Sequence, residues 1–237
     1  ASAASNATAD ASAIGSTAQQ ASYAMGVDIG RSLKQMKDQG TDIDLKVFNE
    51  AIQTMYDGKE PKMNEMQAQE VMLKFLQEQQ TKAQAKRLED AKTNLEKGDA
   101  FLKENASKEG VKTTKTGLQY KVEKEGKGAK PTEKDSVVVH YEGRLLDGTV
   151  FDSSLERKEP VSFNVTDVIP GWVEGLQLMP EGSKYTFYIP SDLAYGETGA
   201  PPSIPPNAVL TFDVELLKVG AADAKTAAEE GKPAEEK

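Results

Sequence analysis

The fold is decided by one stretch of sequence, 137-VVVHYEGRLLDGTVFDSS-154. Its β-branched start predicts a strand, and the Asp-Gly pair at 147–148 tolerates the positive φ angles of a tight turn before a second strand begins. Side chains alternate between the two faces of a strand, so Phe151 and Asp152 are predicted to point in opposite directions. If Tyr141 and Phe151 both face inward, they line one apolar wall. The stretch therefore predicts a β-hairpin that brings aromatic side chains and a carboxylate together.

The sequence on either side of the hairpin indicates further strands. Alternating residues predict them at 117–122, 161–165, 185–189 and 209–217. Together with one short helix, these strands predict the α+β class, as an antiparallel half-barrel wrapped around that helix. A Pro-rich segment at 190–207 separates the last two strands. It is too long to be a simple connection, and long loops of this kind often carry function.

The short helix is predicted at 168–176. Pro170 suits a position in its first turn, where a missing N–H costs little. Ile169, Trp172 and Leu176 then share one face at helical spacing. We expect Trp172, the single Trp of the chain, to pack into the concave face of the sheet.

Upstream of Gly110, the apolar residues recur at helical spacing. Two short helices are predicted at about 22–40 and 44–58, followed by a long third helix at about 64–105. Beyond Gln77 the apolar positions of the third helix become sparse among charged residues. We therefore expect its far half to be a solvated arm.

Three helices of this kind form a poor core for one chain, so we expect residues 20–80 to form a homodimer. Gly26 and Gly30 lie four apart on one helix face, which indicates close approach by another helix. Six Met residues lie in the same region, at positions 25, 36, 55, 63, 66 and 72. They are predicted to fill a core, and the alternative is an adaptable chaperone cleft.

The composition excludes several classes of protein. The chain has 237 residues, a net charge of -9 and no Cys. The acidic balance argues against nucleic acid or an anionic membrane as the main partner, because phosphate binding needs clustered Lys and Arg. No apolar run is long enough to span a bilayer. Disulfides and thiolate metal sites are excluded, and the scattered carboxylates show no metal-ligand pattern, so we expect neither a cofactor nor a metal ion.

The two ends of the chain, 1–17 and 220–237, contain few large apolar residues, so we expect both to be disordered tails. The first five residues, ASAAS, resemble the small residues that remain after a signal peptidase has cut. Export to the periplasm is therefore expected, with association with the outer membrane or the cell surface as an alternative. An artificially trimmed N-terminus would explain the same residues.

Six motifs, in order and at compatible spacing over about 117–219, resemble the FKBP-type peptidyl-prolyl cis-trans isomerases. They are VHYEG at 139–143 with Gly148, FDSS at 151–154, VIPGW at 168–172, LAYG at 193–196, IPPN at 204–207 and FDVELL at 212–217. The helical half, with YAMG at 23–26, resembles the dimerisation region of the FkpA and Mip branch of that family. The resemblance implies a helical dimerisation region at 18–112, which includes the long linker helix, and an isomerase domain at 113–219.

The resemblance also implies a pocket shaped as an aromatic cup between the sheet and the short helix. The implied catalytic residues are Tyr141, Phe151, Asp152, Trp172, Tyr195 and Phe212. The implied substrate-binding residues are Phe163, Val168, Ile169, Ile204 and Arg157, with Arg157 paired to Asp152. Val161 and Ala200 stand where other members of the family carry an aromatic residue and His, so we expect a more open rim.

The resemblance implies an isomerase that accelerates the folding of exported proteins, with a holdase chaperone activity in the dimeric helical half. The implied partners are proline-containing unfolded or partly folded polypeptides, a second copy of the chain, and macrolide inhibitors such as FK506 and rapamycin. The alternative is a chaperone or peptide-binding module that is mainly non-catalytic. A hydrolase is disfavoured because His140, the only His, adjoins Tyr141, faces away from the predicted cup and is expected to be exposed.

An apolar cup suits prolyl isomerisation on physical grounds. Rotation about an X-Pro bond breaks amide resonance against a barrier of about 18–20 kcal/mol, and it requires no nucleophile. The twisted amide has lost charge separation, so an apolar cup favours it over the planar ground state. We expect the Tyr195 hydroxyl or the main-chain N–H of Ile204 to bind a substrate carbonyl.

Overall fold

The structure, a computed structural model, describes residues 10–221. The described chain divides into two compact units that meet between residues 82 and 83. Most of each predicted tail, residues 1–9 and 222–237, lies outside the described residues. Within the described part of the chain, no helix is both long and apolar enough to cross a membrane.

Each predicted disordered tail includes some residues that are ordered in the structure. Ala11–Ile14 form a turn of 3-10 helix, and the Asp10 side chain accepts a hydrogen bond from the Ser12 N–H at 2.9 Å. Side-chain-to-backbone hydrogen bonds order this segment without apolar burial, so its composition gave no sign of structure. At the other end, residues 220–221 pair with residues 135–136 and continue the last strand.

The first unit contains helices α1 and α2 and the first part of α3, which span Thr17–Asp38, Leu45–Tyr56 and Glu65–Asn105. The predicted starts of α2 and α3 are confirmed. Asp44 caps α2 by accepting from the Lys46 N–H at 3.1 Å. Asn64 and Gln67 form a reciprocal cap on α3, with bonds of 2.8 and 2.9 Å between each side chain and the other residue's N–H.

The apolar faces of this first unit are exposed in a single chain. None of the described residues of α1, α2 or the 65–82 part of α3 is buried. Tyr23 is 60% exposed, Met25 65% and Ile29 48%. A Cβ placed on Gly26 or Gly30 would meet no atom of the described chain within 4 Å, apart from the neighbouring turns of its own helix. One chain therefore leaves this surface uncovered.

The second unit is built on one antiparallel sheet. Its strands are β1 Val111–Thr113, β2 Gln119–Lys124, β3 Asp135–Arg144, β4 Val150–Ser153, β5 Val161–Asn164, β6 Lys184–Ile189 and β7 Leu210–Ala221. Their spatial order is β1-β2-β6-β7-β3-β4, and β5 also pairs with β3. Two short helices, α4 Ser154–Arg157 and α5 Pro170–Leu176, complete the unit. The predicted hairpin is β3–β4, and the predicted α+β half-barrel is confirmed.

Helix α5 packs closely on the sheet. Pro170 lies in its first turn, as predicted, but the helix begins at Pro170, two residues after the predicted start at Val168. A Cβ placed on Gly171 would lie 2.6 Å from Ile189, and one on Gly175 would lie 2.7 Å from Phe187, so both glycines are needed for the backbone to approach strand β6. This close approach carries the side chain of Trp172 into the buried core cluster.

The far half of α3 is not the solvated arm that its sequence predicts. Ala91, Gly98 and Asn105 are buried within the second unit. Asn105 Nδ2 donates to Gln119 Oε1 at 2.8 Å, and Gln119 Nε2 donates to the Leu102 carbonyl at 2.8 Å. These bonds fix the end of the helix to strand β2. The helix is buried through small and polar residues, which a search for an apolar stripe does not detect.

Candidate active site

Trp172 is the centre of a cluster of aromatic rings. Its ring centroid lies 5.2 Å from those of Tyr141 and Phe212 and 5.5 Å from that of Phe163, with interplanar angles of 89°, 87° and 87°. Edge-on pairs of this kind place the positive edge of one ring against the negative face of another. All four rings are buried. They come from α5, β3, β7 and β5, so the whole half-barrel fixes the shape of the cup floor.

A β-bulge brings two consecutive residues of β4 to this cluster. The register of the β3–β4 pair shifts between Gly143 and Arg144, which makes Phe151 an extra residue in its strand. Phe151 stands edge-on to Phe212 at 5.5 Å. The next side chain, Asp152, is also buried at the site. The predicted alternation of these two side chains is wrong here, because a bulge interrupts the regular period of the strand.

Asp152, Tyr141 and Arg157 form a hydrogen-bonded triad in the wall of the cup. The Tyr141 hydroxyl donates to Asp152 Oδ2, and Arg157 Nη1 donates to Asp152 Oδ1 at 2.7 Å. Arg157 Nη2 also donates to the Tyr141 oxygen at 3.3 Å. Burial raises the pKa of Tyr141, and the hydrogen bond from Arg157 offsets only part of that rise. The phenol is therefore protonated at neutral pH and remains the donor to Asp152.

Ser154 and His140 support the backbone of Tyr141 and do not form a hydrolase site. Ser154 Oγ accepts from the Tyr141 N–H at 2.8 Å and lies 2.9 Å from His140 Nδ1. Because Ser154 is 0% exposed, a substrate has no access to its hydroxyl. His140, expected to be exposed, is half-buried next to it. Ser153 caps α4 by accepting from the Glu156 N–H at 3.2 Å, so both serines stabilise the bend that follows Asp152.

The segment between β6 and β7 contributes Tyr195 and Ile204. Ala200 and Ile204 exchange main-chain hydrogen bonds of 2.9 Å in both directions. The Ile204 N–H is therefore engaged, and the expectation that it binds a substrate carbonyl is wrong. The N–H of Ile169, directly before α5, finds no acceptor among the described residues. Sequence reasoning missed this donor, although a helix start regularly leaves such groups unpaired.

The structure brings all eleven residues implied by the resemblance into one region of the second unit. The buried ones are Tyr141, Asp152, Phe163, Ile169, Trp172, Ile204 and Phe212. Those partly buried against the same cluster are Phe151, Val168 and Tyr195. Half of the Arg157 side chain is exposed. Together they form an apolar floor with one paired carboxylate and with main-chain and hydroxyl donors at its edge. These groups can bind a prolyl ring and orient its amide.

Family models match both parts of the chain. One described as FKBP-type peptidyl-prolyl cis-trans isomerase matches residues 127–217. Another, described as the domain amino terminal to FKBP-type peptidyl-prolyl isomerase, matches residues 18–122.

Individual relatives agree with these matches. The chain is 68% identical over 206 residues to a probable FKBP-type peptidyl-prolyl cis-trans isomerase FkpA of Neisseria meningitidis serogroup B, a match that covers 87% of this chain and 76% of that protein. It is 41% identical over 210 residues to outer membrane protein MIP of Legionella longbeachae, which covers 89% of each. The crystal structure of FkpA from Escherichia coli matches with a TM-score of 0.74 at 40% identity, over 88% of this chain and 99% of that one. Cup geometry, family models and relatives lead to one conclusion, that this chain belongs to the FKBP-type peptidyl-prolyl cis-trans isomerases.

Proposed function

We propose that the aromatic cup binds the prolyl residue of an extended polypeptide and accelerates rotation about the preceding peptide bond. Trp172 lies under the prolyl ring and Phe151 flanks it, while the fully buried Phe212 supports both of these rings from behind. The observation that carries this proposal is the edge-on packing of three buried rings around Trp172, which makes the floor apolar and gives it a fixed shape.

The cup acts by binding the twisted amide more tightly than the planar one. An acceleration of about 10⁶-fold requires about 8 kcal/mol of differential stabilisation, so removal of water must be joined by directed hydrogen bonds. The Ile169 N–H and the Tyr195 hydroxyl orient the substrate carbonyls. Asp152, held by Tyr141 and Arg157, fixes the position of Tyr141 and polarises the cup.

The test is a protease-free isomerisation assay on a peptide with one Ala-Pro bond. Asp152→Leu and Tyr195→Phe are each expected to lower kcat/KM by about tenfold or more, the equivalent of about 1.4 kcal/mol. Asp147→Asn is the matched control, because Asp147 is an exposed carboxylate at the turn of the same hairpin. Unchanged rates in both site variants, with the folded state retained, would remove the assignment of the site.

A second activity, holding of non-native chains by a dimeric helical half, is favoured by a separate observation. Helices α1 and α2 contain no buried residue in the described chain, and large apolar side chains such as Met25, Val47 and Met55 are 65%, 59% and 60% exposed. So many large exposed apolar side chains in one unit indicate an interaction site. We infer that part of it is covered by a second copy of the chain and that the rest contacts unfolded polypeptides.

The holdase activity can be separated from isomerisation in the full chain. Asp152→Leu is expected to lose turnover of the Ala-Pro peptide and still to suppress aggregation of a reduced, unfolded client. Light scattering of the client at equal protein concentrations measures this. If Asp152→Leu loses both activities together, the cup and not the helical half binds the client.

The same proposal covers location and inhibitors. Similarity to a protein named outer membrane protein MIP supports an exported protein that acts on exported chains in the periplasm.

Macrolides that mimic a prolyl ring are expected to compete for the cup. Val161 and Ala200 are the positions at which we expect a more open rim, so replacing Val161 with Phe should tighten macrolide binding.

A further inference from the structure

One side of the far half of α3 carries two polar residues and two small residues. Arg87, Ala91, Asn94 and Gly98 recur at spacings of four, three and four residues, which places them on one side of the helix. This side lies against residues 194–209, which we call the cup loop because it carries Tyr195 and Ile204.

Two amide side chains bond the helix and the cup loop in opposite directions. Asn94 Nδ2 donates to the Pro206 carbonyl at 2.9 Å. In return, Asn207 Nδ2 donates to the Ala91 carbonyl at 3.0 Å. Asn207 has a φ of 54°, a conformation in which Asn is tolerated better than most residues. The loop backbone is thus shaped to present this amide to the helix.

Two further contacts lie on either side of this pair. Arg87 Nη2 donates to the Thr198 carbonyl at 2.6 Å, one helical turn before Ala91. At the other end, a Cβ on Gly98 would lie 2.8 Å from Cγ2 of Val209, so only Gly lets the helix backbone come this close to the loop. Contacts therefore run along the helix from Arg87 to Gly98.

We infer that this face of α3 is a positioning element of the isomerase site, which holds the cup loop, and with it Tyr195 and Ile204, in the geometry that catalysis needs. The inference rests on the proposed cup. The end of α3 is fixed to β2 through Asn105 and Gln119, so the helix is a rigid support. The β-bridge of the cup loop joins Ala200 to Ile204 of the same loop, so this bridge does not attach the loop to the sheet. Small displacements of catalytic groups cost large factors in rate.

The test uses the full chain and two substitutions of one residue. Asn94→Asp has the same shape but cannot donate to the Pro206 carbonyl, whereas Asn94→Gln keeps an amide donor. We expect Asn94→Asp to lower kcat/KM for the Ala-Pro peptide by about three- to tenfold, as for one directed hydrogen bond, with most of the loss in kcat. Asn94→Gln should recover more than half of the activity. Lys86→Ala is the control, because Lys86 is exposed on the same helix and pairs only with Asp90 among the described residues.

Three results would overturn the inference. The first is unchanged kinetics of Asn94→Asp together with a lower urea midpoint, since this would make the contact structural only. The second is equal loss of activity in Asn94→Asp and Asn94→Gln, because the donor would then not be responsible. The third is unchanged turnover in both Asp152→Leu and Tyr195→Phe, which would remove the proposed cup and this inference with it. If Tyr195→Phe is impaired and Asn94→Asp is not, the cup stands and only the positioning role fails.

Discussion

Gly143 shows how the absence of one side chain shapes the cup. A Cβ at this position would lie 2.6 Å from ring atoms of both Phe151 and Phe212. Gly143→Ala is therefore expected to displace the two rings, to lower the free energy of unfolding by about 1–3 kcal/mol as in other overpacked cores, and to lower kcat/KM. Gly220→Ala is the control, because a Cβ there meets nothing within 4 Å in the described chain. Urea unfolding followed by Trp172 fluorescence measures the stability of both variants, and the isomerisation assay measures their kcat/KM. Equal midpoints in the two variants would contradict the prediction.

Asp213 makes the stability of the second unit depend on pH. Burial alone would raise its pKa, but hydrogen bonds from Arg144 and Thr186 at 2.7 and 2.8 Å lower it more, so the pKa of Asp213 is below its usual value. A carboxyl with a depressed pKa stabilises the fold above the unfolded-state pKa of about 3.9, and this contribution is lost as the pH falls through the folded-state pKa.

Asp213→Asn is therefore expected to be less stable than the parent at pH 7, by about 1 kcal/mol or less for a partly exposed ion pair. The difference should shrink as the pH falls below 4. Urea midpoints of both proteins at pH 7 and pH 3 measure it. A difference that persists unchanged at pH 3 would show that the charge of Asp213 is not the cause.

Residues of the site that belong to a sequence motif could be predicted. Features that depend on local backbone geometry could not. The aromatic and acidic residues of the hairpin and of α5 were found from motif and periodicity. The bulge at Phe151 was not, because an extra residue in a strand has no separate signal in this sequence. A main-chain donor was predicted at Ile204, but its N–H is engaged by the Ala200 carbonyl. The sequence does not show this bridge, because it depends on the fold of a long loop.

The position of helix α5 on the sheet depends on its glycine residues. Ala is a better helix former than Gly by about 1 kcal/mol, so Gly175→Ala would stabilise an isolated helix. In this fold the new Cβ would lie 2.7 Å from the buried ring of Phe187 and push α5 away from β6. We therefore predict net destabilisation of about 1–3 kcal/mol and a shift of Trp172 emission in the folded state. A higher urea midpoint in this variant would contradict the prediction.

Helix α3 shows the limit of periodicity as a guide to burial. Its existence and its start at Glu65 follow from the Asn64 and Gln67 cap and the Pro-free run. Its far half was predicted to be solvated, since large apolar residues are sparse there. The buried face instead consists of Ala91 and Gly98 between polar side chains, which form no stripe of large apolar residues. Only the partner surface shows that they are in contact.

The exposed apolar faces of the first unit predict the assembly of the molecule. Ile29 is 48% exposed on α1, near Gly26 and Gly30, whose faces are open in the single chain. The full chain is expected to sediment as a dimer, and Ile29→Glu is expected to weaken the dimer by at least about tenfold, because a charge would be buried at the interface. Gln35→Glu, on an exposed position of the same helix, is the control. A parent chain that remains monomeric at tens of micromolar would contradict this prediction.

The most direct test of the central claim uses the single Trp of the chain, which lies at the floor of the cup. Trp172 fluorescence is titrated with an Ala-Pro peptide and with its Ala-Ala analogue, and the isomerisation rate is measured under the same conditions. Binding of the Ala-Pro peptide should change the fluorescence with a midpoint that matches the KM for isomerisation, and the Ala-Ala analogue should have no effect. Saturating turnover with no change in Trp172 fluorescence would contradict the claim that prolyl rotation takes place in this cup.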